Sequence, residues 1–388
     1  MPTAITSRDL LEQLIAFDTQ SFRSNLELVA FVQAYLAGHG VESRLVHDET
    51  GSKANLWAVI GPADVPGIVL SGHTDVVPVE GQAWTSDPFR ARVADGRLHG
   101  RGAADMKGFL ACVLRLVPDL VAARLRRPAI LAFSYDEELG CKGAPGLIDA
   151  LLAALPLPEG CLVGEPTLLR LIDGHKGKAG YRCTVTGREG HSALPALGAN
   201  AVVAAARIIG EVAAMGERFA VHGPFADGFG PPHHTSSVGR IEGGAQLNII
   251  PRHCGFEFEF RTLPGSDPLQ LVGAVQGFAR DRVLPGLQAT APEATITFEE
   301  ILAYPALPPA PEAPFVAMCR ELTGTPTPGR ASFGTDGGCF AARGIPSLVC
   351  GPGDIGVAHK PDEWIALEQL EGCDELLRRL MRRALVEP

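Results

Sequence analysis

Ile68-Val69-Leu70-Ser71-Gly72-His73-Thr74-Asp75 joins a short apolar run, which predicts a buried strand, to an imidazole and a carboxylate. The arrangement returns twice. Ala129–Tyr135 runs into Asp136-Glu137-Glu138, and Cys161–Val163 runs into Gly164-Glu165-Pro166. Open α/β sheets build their sites at the C-terminal ends of strands, so three strands ending in chemistry predict one functional sheet edge. Two further segments carry compatible groups: Ala104-Asp105-Met106-Lys107, at the head of a predicted helix Met106–Val117 closed by Pro118, and Ala358-His359-Lys360-Pro361 far downstream. Two histidines with a surplus of carboxylates are the ligand set of a two-metal hydrolytic site.

Outward from these strands, Leu56–Ile60 adds another, and strands alternating with helices predict a parallel or mixed sheet covered on both faces. The first forty residues read as two helices. Ser24-Asn25-Leu26-Glu27 has the form of a capping box, Leu28, Val29, Phe31, Val32, Tyr35 and Leu36 follow helical spacing, and Gly38 and Gly40 end the run.

The composition changes near Gly174. A strand at Tyr181–Thr186, a helix at Ala199–Met215, strands at Thr235–Ile241 and Gly255–Arg261, a helix at Pro268–Arg282 and a strand at Ala294–Leu302 give β-α-β-β-α-β, a ferredoxin-like α+β unit. In Phe256-Glu257-Phe258-Glu259-Phe260-Arg261 the apolar side chains all point to one face. Pro305, Pro308, Pro309, Pro311 and Pro314 mark a linker back to a final strand, Ser347–Cys350, and a closing helix, Leu367–Leu385. The expected fold is therefore α/β with two domains. Residues 1–178 and 304–388 form a domain with a mixed central sheet, and residues 179–303 form the inserted ferredoxin-like domain.

A chain of 388 residues is too long for one simple core, and 46% hydrophobic with 20% charged residues is ordinary for a globular enzyme. The formal charge of −10 argues against nucleic acid and anionic membranes as partners. Met1-Pro2-Thr3-Ala4-Ile5 has no basic region followed by an apolar stretch, and no apolar run approaches the roughly 20 residues of a membrane span. Nine cysteines without a Cys-x-x-Cys pair read as buried free thiols, which points to the cytoplasm. Gly351-Pro352-Gly353-Asp354-Ile355-Gly356 matches the dinucleotide fingerprint in letters only. Pro352 interrupts the turn, and too little chain follows for the remaining strand and acid. There is no Gly-x-Ser-x-Gly elbow.

Taken singly, each motif has an ordinary reading: a surface His-x-Asp pair at His73 and Asp75, a solvated Glu137-Glu138 loop, an N-cap at Asp105, a turn at Glu165-Pro166, a surface His359. Their ordered combination is what favours the metal site. Asp105, Glu138 and Glu165 together with one hydroxide balance two divalent cations, so the cluster fits a partly closed cleft. Asp75, two residues beyond His73, is placed to reach back to the imidazole and orient it.

Ser71 to Pro78, Gly100 to Gly108, Asp136-Glu137-Glu138, Gly164-Glu165-Pro166-Thr167 and Ala358 to Glu363 resemble the five metal motifs of the M20 family of metallohydrolases. Phe17-Asp18-Thr19, Lys53-Ala54-Asn55-Leu56, His175-Lys176-Gly177-Lys178 and Gly351-Pro352-Gly353-Asp354 resemble the branch that deacetylates N2-acetyl-L-ornithine in arginine biosynthesis. The resemblance implies a zinc-dependent amidohydrolase. His73 and Glu165 would hold one Zn2+, Glu138 and His359 the other, and Asp105 would bridge them; Co2+ or Mn2+ would also suit the oxygen-rich site. Glu137 would be the general base and Asp75 the carboxylate partner that orients His73. By the same resemblance the inserted domain is a lid that forms a homodimer. His191 in Gly190-His191-Ser192 would assist catalysis, and Arg261 with Asn248 would hold the carboxylate of a small N-acyl amino acid. Ordinary readings stand beside these as well: a capping His191, a turn at Asn248, and an Arg261 paired with Glu259. Within the fold a succinyl-diaminopimelate desuccinylase or another N-acyl-amino-acid deacylase is the alternative, and outside it a non-catalytic amino-acid-binding protein.

Overall fold

The computed structural model describes residues 5–386. The chain divides into two compact units, one of residues up to Gly174, Leu307–Arg330 and Thr335 onward, the other of His175–Ala306 and Ala331–Gly334.

In the first unit an eight-stranded sheet runs in the order Ser43–His47, Ala54–Ile60, Ala129–Ser134, Ile68–His73, Gly160–Pro166, Ser347–Gly351, Ile172–His175, Gly329–Ala331. Ala129–Ser134, Ile68–His73, Gly160–Pro166 and Ser347–Gly351 are mutually parallel, and the strands on either side of this block are antiparallel to it. All four parallel strands are buried along their length, which is why they read as continuous apolar runs rather than alternating ones.

The helix Lys107–Ala122 packs on Ile68–His73 and Gly160–Pro166, flanked by Ser7–Ile15 and Leu367–Leu380. Two glycines set how closely it sits. A Cβ on Gly72 would lie 2.7 Å from the Met106 methyl, and one on Gly164 would lie 1.9 Å from the Phe109 ring. Each of these glycines immediately precedes a candidate ligand, His73 or Glu165, so the close helix packing and the ligand positions are set together.

Two local expectations are corrected. The capping box at Ser24–Glu27 does not form. Asn25 is the N-cap residue, but its side chain makes no cap bond. Instead Nδ2 donates to the Ala54 carbonyl (2.8 Å) and to Thr74 Oγ1 (2.9 Å), and Oδ1 accepts from Ala54 N (3.0 Å). Long-range partners displaced the local cap. The second correction concerns Pro118, which does not close its helix; the helix continues to Ala122. Proline removes one backbone donor, and burial of Leu114, Leu116, Val117 and Leu120 holds the helix through it.

The second unit carries a four-stranded antiparallel sheet in the order Thr235–Gly243, His253–Thr262, Gly177–Thr186, Thr295–Tyr304, with helices Ala201–His222 and Pro268–Phe278. That is a βαββαβ unit. Phe256, Phe258 and Phe260 all turn into its core with Ile208, Val212 and Val275, while Glu257, Glu259 and Arg261 face the other way. Asn200 and Asp267 cap the two helices by accepting from Val203 N and Leu269 N.

All nine cysteines are buried and free. Among the described residues no helix is long and apolar enough to cross a membrane.

Candidate metal centre

The structure brings His73, Asp105, Glu137, Glu138, Glu165 and His359 to one edge of the sheet of the first unit. His73 and Glu165 end their strands, Glu137 and Glu138 follow Ala129–Ser134, His359 follows Ser347–Gly351, and Asp105 precedes Lys107–Ala122. Asp105 stands between the two histidines: its Oδ1 is 3.1 Å from His73 Nε2 and its Oδ2 is 3.2 Å from His359 Nε2. Glu165 Oε1 lies 3.8 Å from His73 Nε2, and Glu138 Oε1 lies 3.1 Å from His359 Nε2. The Asp105–Met106 peptide is cis. The arrangement is two His-carboxylate halves sharing one central aspartate.

The electrostatics show what is needed at the centre. Burial, reinforced by the charge of Asp105, pushes the Glu138 carboxyl up to about 7. Burial also raises Glu165 and Glu137 well above the usual carboxylate range, aided by Asp105 on Glu165 and by Glu165 on Glu137. Hydrogen bonds to Asp105 and Glu138 push His359 up to about 10. Burial would lower His73, yet the Asp105 hydrogen bond and the charge of Glu165 lift it well above the ordinary imidazole value. Burial likewise works against ionised Asp105, and hydrogen bonds from His359 and His73 outweigh it, so Asp105 is held low. With nothing else present, protons have to gather where four carboxylates meet. Glu165 Oε1 is buried with no hydrogen-bond partner. His73, Asp105 and Glu138, and also His73, Glu137 and Glu165, place ligand atoms within 4.8 Å of one another. The donor set fits divalent cations, which would replace those protons and satisfy that oxygen.

The supporting shell differs from the sequence reading at Asp75. His73 Nδ1 donates to the Asp75 backbone carbonyl at 2.9 Å, and the Asp75 carboxylate is more distant at 3.5 Å. The carboxylate instead accepts from Glu137 N (3.1 Å), Glu138 N (3.3 Å) and Ser21 Oγ (2.8 Å). One residue thus orients the imidazole through its backbone and the acidic loop through its side chain. That loop is further held by Lys53, whose Nζ donates to Asp136 Oδ2 at 2.6 Å.

Glu363 has the matching role for Asp105. It accepts from the backbone N of Gly102 (3.1 Å), Ala104 (2.8 Å) and Asp105 (3.1 Å), and pairs with Arg101 at 2.8 Å. Arg101 lies 4.9 Å over the Trp84 ring and donates to Gln82, which donates in turn to the His359 carbonyl (3.0 Å). Neither role was assigned from sequence, because nothing local pairs Glu363 with residues some 260 positions earlier. Asp336, also unassigned, is buried behind Glu137. It accepts from Ser134 Oγ at 2.6 Å, and Cys141 Sγ is 3.5 Å from Glu137 Oε1.

His191, Asn248 and Arg261 belong to the second unit. Gly190–His191 pairs with Ile249–Ile250, and Ser192 N donates to the Asn248 carbonyl (3.1 Å), so His191 and Asn248 share one exposed corner. His191 Nδ1 accepts from Ala193 N at 3.0 Å, a local capping contact. Arg261 donates to Glu259 (3.0 Å), to Tyr304 Oη (3.1 Å) and to the Ser332 carbonyl (3.3 Å).

Comparison with known proteins accords with this geometry. The sequence profile of peptidase family M20/M25/M40 matches residues 69–383. The chain is 36% identical over 381 residues to an acetylornithine deacetylase of Myxococcus xanthus, covering 96% of each protein. It superposes on an M20 family metallo-carboxypeptidase from Sulfolobus solfataricus with a TM-score of 0.76 at 17% identity, over 97% of this chain and 98% of that one. A Staphylococcus aureus tripeptidase gives 0.71 at 19% identity, over 96% and 97%. A dinuclear metal binding peptidase from Bacillus subtilis gives 0.63 at 17%, over 96% of each chain. At such identities the structural likeness establishes the fold alone. The sequence profile and the full-length relative establish the family, and the chain is a metal-dependent amidohydrolase belonging to peptidase family M20/M25/M40.

Proposed function

We propose that this protein hydrolyses N2-acetyl-L-ornithine to L-ornithine and acetate, as a step of arginine biosynthesis in the cytoplasm, using two Zn2+ ions. The observation that carries the substrate is the 36% identity to an acetylornithine deacetylase along 96% of both chains. The paired His-carboxylate halves around Asp105 support the chemistry.

His73 with Glu165 would hold one ion, His359 with Glu138 the other, and Asp105 both; Co2+ or Mn2+ would serve in place of zinc. Bound there, the ions acidify water and polarise the amide carbonyl. Glu137 is the general base. Its carboxylate takes the proton of the attacking water and delivers it to the departing amine, and burial gives it a raised affinity for that proton. Asp75 fixes Glu137 through the backbone bond at 3.1 Å. In this reading residues 179–303 act as a lid and dimerisation domain. There His191 donates a hydrogen bond to the developing oxyanion, and Arg261 with Asn248 binds the substrate's α-carboxylate.

Turnover of N2-acetyl-L-ornithine beside N-succinyl-L,L-diaminopimelate, with zinc supplied and with metal chelated, tests the proposal. Zinc-dependent acetate release with little succinate is expected. A preference for the succinyl substrate would keep the chemistry and overturn the substrate.

A further inference from the structure

Beside Glu137 lies a second group of potential ligands, of which the two-ion centre leaves two unused. Cys141 Sγ is 3.5 Å from Glu137 Oε1, and ligand atoms of Glu137, Cys141 and Asp336 all lie within 4.8 Å of one another. All three residues belong to the first unit. Cys141 and Asp336 are buried, at 2% and 1% exposure. One oxygen of Asp336 is satisfied, since Oδ2 accepts from Ser134 Oγ at 2.6 Å. The other, Oδ1, is buried with no hydrogen-bond partner. A buried carboxylate oxygen left in that state is costly unless a donor or a cation joins it.

Ligand atoms about 2.0–2.3 Å from one zinc in a tetrahedron stand about 3.5 Å apart, which is the separation of Cys141 Sγ from Glu137 Oε1. The backbone fixes these residues: Cys141 N donates to the Glu137 carbonyl (2.8 Å), Glu137 N donates to Asp75 Oδ1 (3.1 Å), and Asp336 opens the helix Asp336–Ala341, capped by Thr335. Charge points the same way. Asp105, Glu138 and Glu165 with one hydroxide balance the two ions of the proposed centre, so Glu137 and Asp336 stand outside that balance. Lys53, the cation that holds the acidic loop, is paired with Asp136 at 2.6 Å. Sulfur decides which cation suits the group. Thiolate favours zinc and softer ions over magnesium and manganese. The halves around Asp105 offer only imidazole and carboxylate.

We infer that Glu137, Cys141 and Asp336 form a third, inhibitory site for a thiophilic divalent cation, Zn2+ or Cd2+. Binding breaks the Sγ–H bond, releases the proton to solvent and forms a bond from Sγ to the cation, with no change of oxidation state. Both carboxylates coordinate through oxygen, and water completes the shell. A cation on Glu137 occupies the carboxylate that would take the proton of the attacking water, so hydrolysis stops while the ions around Asp105 stay bound. That consequence rests on the proposed function; the binding itself does not. Because a buried thiol must first give up its proton, the site fills after the centre does, and inhibition begins past the two-ion plateau.

The test loads chelator-treated protein with two zinc ions per chain and then adds excess Zn2+, Cd2+ or Mn2+ to wild type and Cys141→Ala. Wild type is expected to bind a third zinc in equilibrium dialysis, to show cadmium–thiolate charge-transfer absorption in the ultraviolet, and to lose activity about tenfold or more with zinc but not with manganese. Cys141→Ala should keep the two-ion activity within about threefold, bind two zinc ions only, and lack both the absorption and the inhibition. Two ions per chain in wild type without thiolate absorption would overturn the site. Equal inhibition of wild type and Cys141→Ala would overturn it too, and a third ion bound at full activity would overturn the part given to Glu137. Should Cys141→Ala fail to fold by its thermal midpoint, Cys141→Ser carries the comparison. It should lack the absorption and need about tenfold more zinc to be inhibited, and unchanged zinc sensitivity would overturn the assignment. The dialysis and absorption need no turnover, so a protein that hydrolyses no N-acyl amino acid would sink the functional reading and leave the third site standing.

Discussion

At the scale of single residues, the proposed chemistry divides between groups that would hold metal and one that would act on water. His73, Asp105, Glu138, Glu165 and His359 meet at distances a metal pair would fill, whereas Glu137 sits beside them with its backbone tied to Asp75. Glu137→Ala is therefore expected to lower kcat by about 10²–10⁴ while both metals stay bound, checked by steady-state rates beside metal content. Loss of metal together with activity would reassign Glu137 as a ligand. Sequence reading expected these six at one edge, because each lies at or after a strand end or at a helix start, and the structure brings them together there. It placed the Asp75 carboxylate against His73; that carboxylate stands 3.5 Å from the imidazole, while the Asp75 carbonyl is nearer at 2.9 Å and the carboxylate also takes the acidic loop. Glu363 and Asp336 were missed as supports because their partners, Asp105 N and Ser134 Oγ, lie more than 200 residues away in sequence.

At the level of elements, the metal centre depends on how closely Lys107–Ala122 approaches two parallel strands. Gly72 and Gly164 permit that approach one residue before a ligand. Gly164→Ala would set a methyl 1.9 Å from the Phe109 ring, with the helix and Glu165 forced apart. A loss of about 1–3 kcal/mol in denaturant unfolding is expected, together with weaker metal affinity. Phe109→Ala in the same chain should restore part of the affinity, and no coupling between the two would contradict this packing account. Element order and type were legible in both units because apolar runs and period-two alternation report burial directly. Element ends were less so. Pro118 is passed over by its helix, and Asn25 gives up its cap for Ala54 and Thr74. In both cases tertiary partners outweighed a local rule worth about 1 kcal/mol for a cap and about 3 kcal/mol for an interior proline.

For the whole molecule, the central claim is that one edge of the first unit's sheet holds two divalent cations around Asp105. The raised protonation of Glu138, Glu165 and His359 means that metal entry expels protons and relieves repulsion, so metal should also stabilise the fold. At about a hundred times the dissociation constant the gain is about 2.7 kcal/mol, read as a rise in the thermal midpoint on adding zinc to chelated protein. The most direct measurement is a zinc titration of chelator-treated protein, following bound metal and hydrolysis of an N-acetyl amino acid together. Activity should rise and level off at two zinc ions per chain, and Asp105→Ala should lose binding at both positions. Full activity at one ion per chain, or activity persisting without metal, would contradict the two-ion centre.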